Sequence, residues 1–252
     1  MSQAISQSHN TSFFNGIYQE VWRRMIHPGL TEAELPFLED VCGLQPGQRV
    51  LDLMCGYGRH SLGLARKGYQ LTAIDSSEGY VAEVQATAAA EALALTAMHG
   101  DVSTMTFDGL YDAAICMGNS FTFFNVASVR NLLQQLSVAL KPGGRFVIDT
   151  WMIAEIAFRH FQERAWHQVD EFRYLIGSRY LMHPSRIEAE HLIITPDGKV
   201  ETLLGVDYIF SIAELETFLA DAGFALQDVF YTPRKRRFQL GDNRAYLVAV
   251  KS

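Results

Sequence analysis

The 252-residue chain has only three cysteines, at positions 42, 55 and 116, and none stands at a spacing that holds a metal ion. Three scattered cysteines predict reduced thiols in the cytoplasm rather than a disulfide framework. No histidine pair has zinc-site spacing and no acidic cluster suits magnesium, so no metal is expected. No run of about 18 apolar residues occurs, which excludes a membrane-spanning helix. The opening segment, Met1 to Asn10, lacks the basic and apolar blocks of a secretory signal. Basic charge is also short. Twenty-one Lys and Arg against 28 Asp and Glu leave a formal net charge of −7, which argues against a general nucleic-acid binder. Repeats and low-complexity segments are absent. The remaining composition, 48% hydrophobic and 19% charged, is that of a globular enzyme.

What is present centres on residues 50–58, Val-Leu-Asp-Leu-Met-Cys-Gly-Tyr-Gly. Val50 to Met54 reads as a short apolar strand carrying one acid, Asp52. Cys55-Gly56-Tyr57-Gly58 reads as a tight turn, and Arg59 to Lys67 has helical composition. Glycines between a strand and a helix let backbone approach a ligand closely, because there is no Cβ in the way. The helix N-terminus adds unpaired N–H donors that suit carboxylate or phosphate. A second strand, Gln70 to Ile74, ends on Asp75. An acid about 20 residues past the glycines is placed to accept both hydroxyls of a ribose. Residues 50–75 thus describe a β-α-β unit that holds a nucleoside. A dinucleotide fingerprint would place a third glycine where Ser61 stands.

The Asp-x-x-Cys-Gly-x-Gly form resembles the first motif of class I S-adenosylmethionine-dependent methyltransferases. The resemblance continues in order: Gly100-Asp101-Val102 at the adenine position, Tyr111 to Cys116 as the fourth strand, and Leu140-Lys-Pro-Gly-Gly-Arg-Phe-Val-Ile-Asp149 as the turn into the fifth. Ser211 to Phe224 is similar to the last helix and its turn. A narrower likeness, Gly118-Asn119-Ser120-Phe121, is to glycine N-methyltransferases. Sugar-amine dimethyltransferases share the general layout and a strand-rich insert.

The fold that follows is α/β: a Rossmann-like, seven-stranded, mostly parallel sheet with helices on both faces. Residues 77–91 and 126–140 read as helices, Leu93 to Met98 as the third strand and Arg145 to Thr150 as the fifth. Residues 46–150 and 211–252 form the core. Residues 1–45 form an N-terminal helical lid, with helices over Phe13 to Ile26 and from Thr31, a candidate N-cap, to about Val41; Pro36 offers a place to break. Residues 151–210 change rhythm. Glu171 to Leu181, Ile187 to Thr195 and Lys199 to Ile209 read as three antiparallel strands, the last two joined by a Pro196-Asp197-Gly198 turn. This insert would roof the site or form a homodimer contact.

The family resemblance implies S-adenosylmethionine as cofactor and S-adenosylhomocysteine as product. By it, Cys55, Gly56, Tyr57 and Gly58 receive the methionine moiety and Asp52 orients its amino group. Asp75 takes the ribose, and Ser76, Asp101 and Val102 meet the adenine, with Met117 and Gly118 as the far wall. Tyr18, Trp22, Asn119 and Ser120 are the substrate candidates, and no residue is assigned as the catalytic base. His60 stands beside the cofactor turn, and Phe121, Phe123 and Phe124 cluster beside the site. The implied reaction is methyl transfer to a small-molecule amine or hydroxyl. Three alternatives stand beside it: a tRNA- or protein-directed methyltransferase, with Arg234 to Arg237 bordering a groove; a non-catalytic cofactor-binding protein; and a nicotinamide oxidoreductase, opposed by Ser61 and by the lack of a Tyr-x-x-x-Lys pair.

Overall fold

The computed structural model describes residues 13, 14 and 16–252. Strands β1 (Arg49–Leu53), β2 (Gln70–Asp75), β3 (Leu95–His99), β4 (Tyr111–Cys116) and β5 (Leu140–Thr150) pair in parallel, and β10 (Phe224–Phe230) and β11 (Ala245–Lys251) close the edge antiparallel. The spatial order β10-β11-β5-β4-β1-β2-β3 places β1 and β4 side by side, with strand order reversing between them. In open α/β sheets a ligand binds beyond the C-terminal strand ends at such a reversal.

The apolar runs of β1, β4 and β5 form central strands because both faces are covered, so alternate residues serve opposite layers. Leu51, Phe146 and Ile148 pack with Leu132, Leu133 and Leu136 of α5 (Val126–Ala139) and with Leu215 and Leu219 of α7 (Ile212–Asp221). Val50, Ile115 and Val147 pack with Phe37, Leu38 and Val41 of α2 (Pro28–Cys42). Helix α3 (Arg59–Arg66) follows β1, and α4 (Glu78–Ala90) follows β2 behind a Ser77 cap.

Helix α2 begins earlier than the Thr31 cap predicts. His27 is its N-cap, its Nδ1 accepting from the Gly29 amide at 3.2 Å, with Pro28 in the first turn where a missing N–H costs nothing. The helix runs through Pro36 without a break, and Thr31 instead accepts a hydrogen bond from Arg59 at 3.2 Å. Strand β5 starts at Leu140, not Arg145. Leu140 pairs with Tyr111, and the register then shifts so that Arg145 pairs with Ala113, leaving Pro142 to Gly144 as an irregularity inside the strand.

The insert holds four antiparallel strands rather than three: β6 (Arg164–Val169), β7 (Phe172–Met182), β8 (Ser185–Ile194) and β9 (Val200–Tyr208), preceded by α6 (Ala154–His160). Strand β6 lies at the sheet edge with most residues exposed, Trp166 among them, so it carries no apolar alternation to betray it. Helix α1 (Ile17–Met25) lies against this sheet. Tyr18 and Val21 pack on Val169, Phe172, Tyr174 and Ile193, while Gln19 donates to Ser77 Oγ at 3.2 Å and Arg23 pairs with Glu83 across to α4.

Helix α2 is tied to the sheet by a buried ion network. Glu34, wholly buried, accepts from Arg59, His60 (2.9 Å), Arg244 (3.0 Å) and Tyr246 (2.8 Å). Burial raises the Glu34 pKa, but the His60 hydrogen bond and the charges of His60, Arg59 and Arg244 outweigh it and hold the carboxyl at about 2. Glu34→Ala leaves buried cations uncompensated and should cost about 3–5 kcal/mol in urea unfolding. Because the folded pKa is depressed, this stabilisation is complete above the ordinary value of 4.5 and is lost as pH falls toward 2. Acid titration of wild type against Glu34→Gln should show that loss in wild type alone.

Candidate active site

At the C-terminal end of β1 the chain turns through three left-handed residues, Met54 (φ 58°), Gly56 (φ 55°) and Gly58 (φ 81°). Gly58 has no room for a side chain: a Cβ there would meet Val84 Cγ2 at 2.7 Å. The turn floors a cavity of about 340 Å³. The Asp75 carboxylate closes one wall, accepting from the Gly56 amide at 2.7 Å and the Ser77 amide at 2.9 Å, and burial raises its pKa. Asp52 lies deeper. Ser61 donates to it, which gives the serine in the third glycine position a use, and burial pushes the Asp52 pKa up to about 7. Cys55 and Tyr57 line the floor; Ser76, Asp101 and Val102 line the far end; Met117, Gly118 and Ser120 line the β4 side. Of the eleven predicted cofactor residues only Gly58 is not on the wall; it shapes the turn instead.

Arg59, His60 and Tyr80 also line this cavity. Among the described residues, two buried side-chain polar atoms lack a hydrogen-bond partner, Arg59 Nη2 and Tyr80 Oη. Both belong to residues of this one cavity. An unpaired buried guanidinium N–H is costly in isolation, so the pair marks a place built for a ligand that bears an anion and further hydrogen-bonding groups.

A second cavity, about 440 Å³, lies between the core sheet and the insert. Phe14, Trp22, Gly118 and Phe123 line both, so the two chambers meet there. Trp22 joins its rings to Tyr18, stacked at 6.4 Å, and to Trp151 at 6.1 Å. Asn119 faces the second cavity in a left-handed conformation (φ 69°) with its amide fully engaged. Its Oδ1 accepts from Thr150 Oγ1 (2.8 Å) and the Trp151 amide (3.1 Å); its Nδ2 donates to Thr122 Oγ1 (3.1 Å) and Asp207 Oδ1 (2.9 Å). The Gly118 and Asn119 amides in turn donate to the Asp149 side chain (2.9 Å) and carbonyl (3.0 Å), and Arg244 clamps the Asp149 carboxylate. Burial lifts the Asp207 pKa to about 6 and drops that of His191 to about 4, so at neutral pH the first is an anion and the second neutral. Tyr174 and His191 Nδ1 share a hydrogen bond.

Tyr18 and Asn119 therefore stand in the second cavity, Ser120 in the first and Trp22 in both. Phe123 and Phe124 reach the first cavity, whereas Phe121 is core, against Phe146. Three of the four bases at 234–237 are paired, and none of the four lines either cavity. Lys235, Arg236 and Arg237 pair with Asp40, Asp242 and Asp228. Sequence reasoning missed Arg59, Tyr80, Asp207 and His191. Arg59 alone carried a local signal, as the first residue of the helix after the glycine turn.

The reversal-point cavity with a glycine turn and a strand-end acid defines a Rossmann-like nucleoside-binding protein. Residues 50–144 match a family described as a methyltransferase domain. A glycine/sarcosine N-methyltransferase of Halorhodospira halochloris is 34% identical over 104 residues, 40% of this chain and 39% of that one, so the chain spans about two fifths of that relative. The CcbJ methyltransferase of Streptomyces caelestis has the same fold, with a TM-score of 0.83 at 19% identity over 98% of this chain and 100% of that one. So does CalS10, an amino pentose methyltransferase of Micromonospora echinaspora solved with S-adenosylmethionine bound, with a TM-score of 0.69 at 19% identity over the full length of both. Residues 50–144 thus carry the methyltransferase-domain match on a fold shared with S-adenosylmethionine-dependent methyltransferases, and S-adenosylmethionine is the cofactor they support. Arg59 Nη1 is held by Glu34, and its unpaired Nη2 is the candidate donor to the methionyl carboxylate of that cofactor. Arg59→Ala should weaken S-adenosylhomocysteine binding by about 1.5–3 kcal/mol in titration calorimetry, while methylthioadenosine, which has no carboxylate, keeps its affinity.

Proposed function

We propose that the protein moves the methyl group of S-adenosylmethionine to the nitrogen of a small-molecule amine held in the second cavity. The observation that carries this is the shared wall at Phe14, Trp22, Gly118 and Phe123: a cofactor in the first chamber would present its methyl group where the second begins. In this reading Asp75 holds the ribose hydroxyls, Asp101 and Val102 meet the adenine, and Asp52, with Gly56, holds the amino end of the methionine. Helices α1 and α2 act as the lid and the insert as the roof. A dimer contact, the insert's other assignment, would use the opposite face, where Trp166 and Leu175 are exposed.

Methyl transfer from a sulfonium is an in-line displacement, and the methyl carbon is already activated by the positive sulfur. The chain need only hold the acceptor about 3 Å from that carbon and exclude water. Aromatic walls do the second. The bound likeness to an N-methyltransferase and to an amino pentose methyltransferase supports nitrogen as the accepting atom. The place of the cavity between sheet and insert, the acidic balance and the pairing of Lys235, Arg236 and Arg237 support a small acceptor rather than RNA or protein.

The test is release of S-adenosylhomocysteine from purified protein supplied with pools of amines, of phenols and of alcohols. Turnover in the amine pools is the expected outcome. Turnover with hydroxyl pools alone moves the accepting atom to oxygen. Tight cofactor binding with no turnover across all pools would favour a non-catalytic binding protein.

A further inference from the structure

Among the described residues, the wall of the second cavity has one carboxylate and no lysine or arginine; its other ionisable side chains are Tyr18, Tyr174 and the histidines His160, His167 and His191. Asp207, on β9, is the one acid on that wall among the described residues. Off the wall, Arg244, which lies over the Trp151 ring, is spent on Asp149 and Glu34, and Arg24 of α1 on Glu20, Asp170 and Glu171. The Asp207 carboxylate is held by one oxygen only. Oδ1 accepts from Asn119 Nδ2 at 2.9 Å and Thr122 Oγ1 at 2.7 Å, whereas Oδ2 has no donor among the described residues and opens to the cavity. Phe14, Tyr18, Trp22, Phe123, Trp151 and Tyr174 surround the same space with aromatic faces. A fixed anion with one oxygen to spare, among π-faces that attract cations, is a receptor for an ammonium group.

We infer that the acceptor is an amine with an apolar or aromatic body and no carboxylate, anchored as its ammonium ion by Asp207 Oδ2, with Asn119 and Thr122 as positioning residues that aim that oxygen. The inference rests on the methyl-transfer reading and narrows it. Amino acids such as glycine or sarcosine are disfavoured, because their carboxylate would be buried beside Asp207 with no lysine or arginine on the wall to meet it. In this they differ from what the name of the N-methyltransferase relative implies for that protein. The chemistry balances. The R–NH3+ group gives one proton to Asp207, and the freed lone pair forms the N–C bond. The C–S bond breaks with its electron pair going to sulfur, and the product leaves as R–NH2–CH3+ beside S-adenosylhomocysteine. Asp207 then returns its proton to water, so one proton is released per turnover.

Titration calorimetry on the protein saturated with S-adenosylhomocysteine tests this with three indoles of one shape: tryptamine, tryptophol and tryptophan. Tryptamine should bind at least tenfold tighter than tryptophol, which lacks the charge, and than tryptophan, which adds a carboxylate. Asp207→Asn, nearly the same shape, should lose at least tenfold for tryptamine and little for tryptophol, with S-adenosylhomocysteine affinity unchanged as the check on folding. Equal binding of tryptophan, no preference of the wild type for tryptamine, or no tryptamine binding by a protein that binds S-adenosylhomocysteine overturns the inference. The wild-type comparison decides even if the variant fails to fold. Failure to bind S-adenosylhomocysteine itself would instead bring down the methyl-transfer reading.

Discussion

Two buried carboxylates clamped by one arginine organise this protein. Arg244, just ahead of β11, holds Asp149 at the end of β5 with two nitrogens and reaches Glu34 in α2 with one of them. Glu34 in turn holds Arg59 and His60 at the start of α3, and Asp149 holds the backbone of Gly118 and Asn119 after β4. Five separate chain segments thus meet in one charged knot. Charges removed from water must be paired with good geometry, and a network that loses a member strands the rest. The helix that begins at Arg59 and the turn at Gly118 and Asn119 are therefore fixed relative to one another by the same interaction.

The knot also explains a division of labour among polar residues. Groups that face inward are satisfied by protein: Asn119 makes four hydrogen bonds and has none left to offer a substrate. Groups that face a chamber are left one partner short, as at Arg59 Nη2, Tyr80 Oη and Asp207 Oδ2. Since buried polar atoms are otherwise paired almost throughout, the deficits trace the outline of what binds. The Asn119 side chain, spent on Thr150, Trp151, Thr122 and Asp207, holds a carboxylate 88 residues away.

Much of the cofactor chamber was legible in the chain because it is local. A strand, two glycines, a helix start and an acid at the next strand end lie within 26 residues, and each has a backbone requirement that few residue types meet. The acceptor chamber was not legible in that way. Its walls come from α1, the β4 turn, α6 and all of β6 to β9, and nothing in the local pattern of Asp207 or His191 marks them off from ordinary strand residues. The missed β6 has the same cause: an exposed edge strand need not alternate. Thr31 was misjudged as a cap because a good capping residue sits one turn inside a helix that Pro28 had already begun.

By itself, then, the sequence determined the class of fold, the nucleoside chamber and the presence of an antiparallel insert. Those features depend on short-range periodicity and on glycines whose conformations no other residue tolerates. Only the tertiary structure decided which helix ends carry the unpaired groups, that Lys235, Arg236 and Arg237 are paired with Asp40, Asp242 and Asp228, and that the second cavity has a single carboxylate and no lysine or arginine among the described residues. These are facts about charge balance in a closed space. Charge balance depends on which side chains are brought together from distant parts of the chain, and the order of residues does not reveal that until the chain is folded.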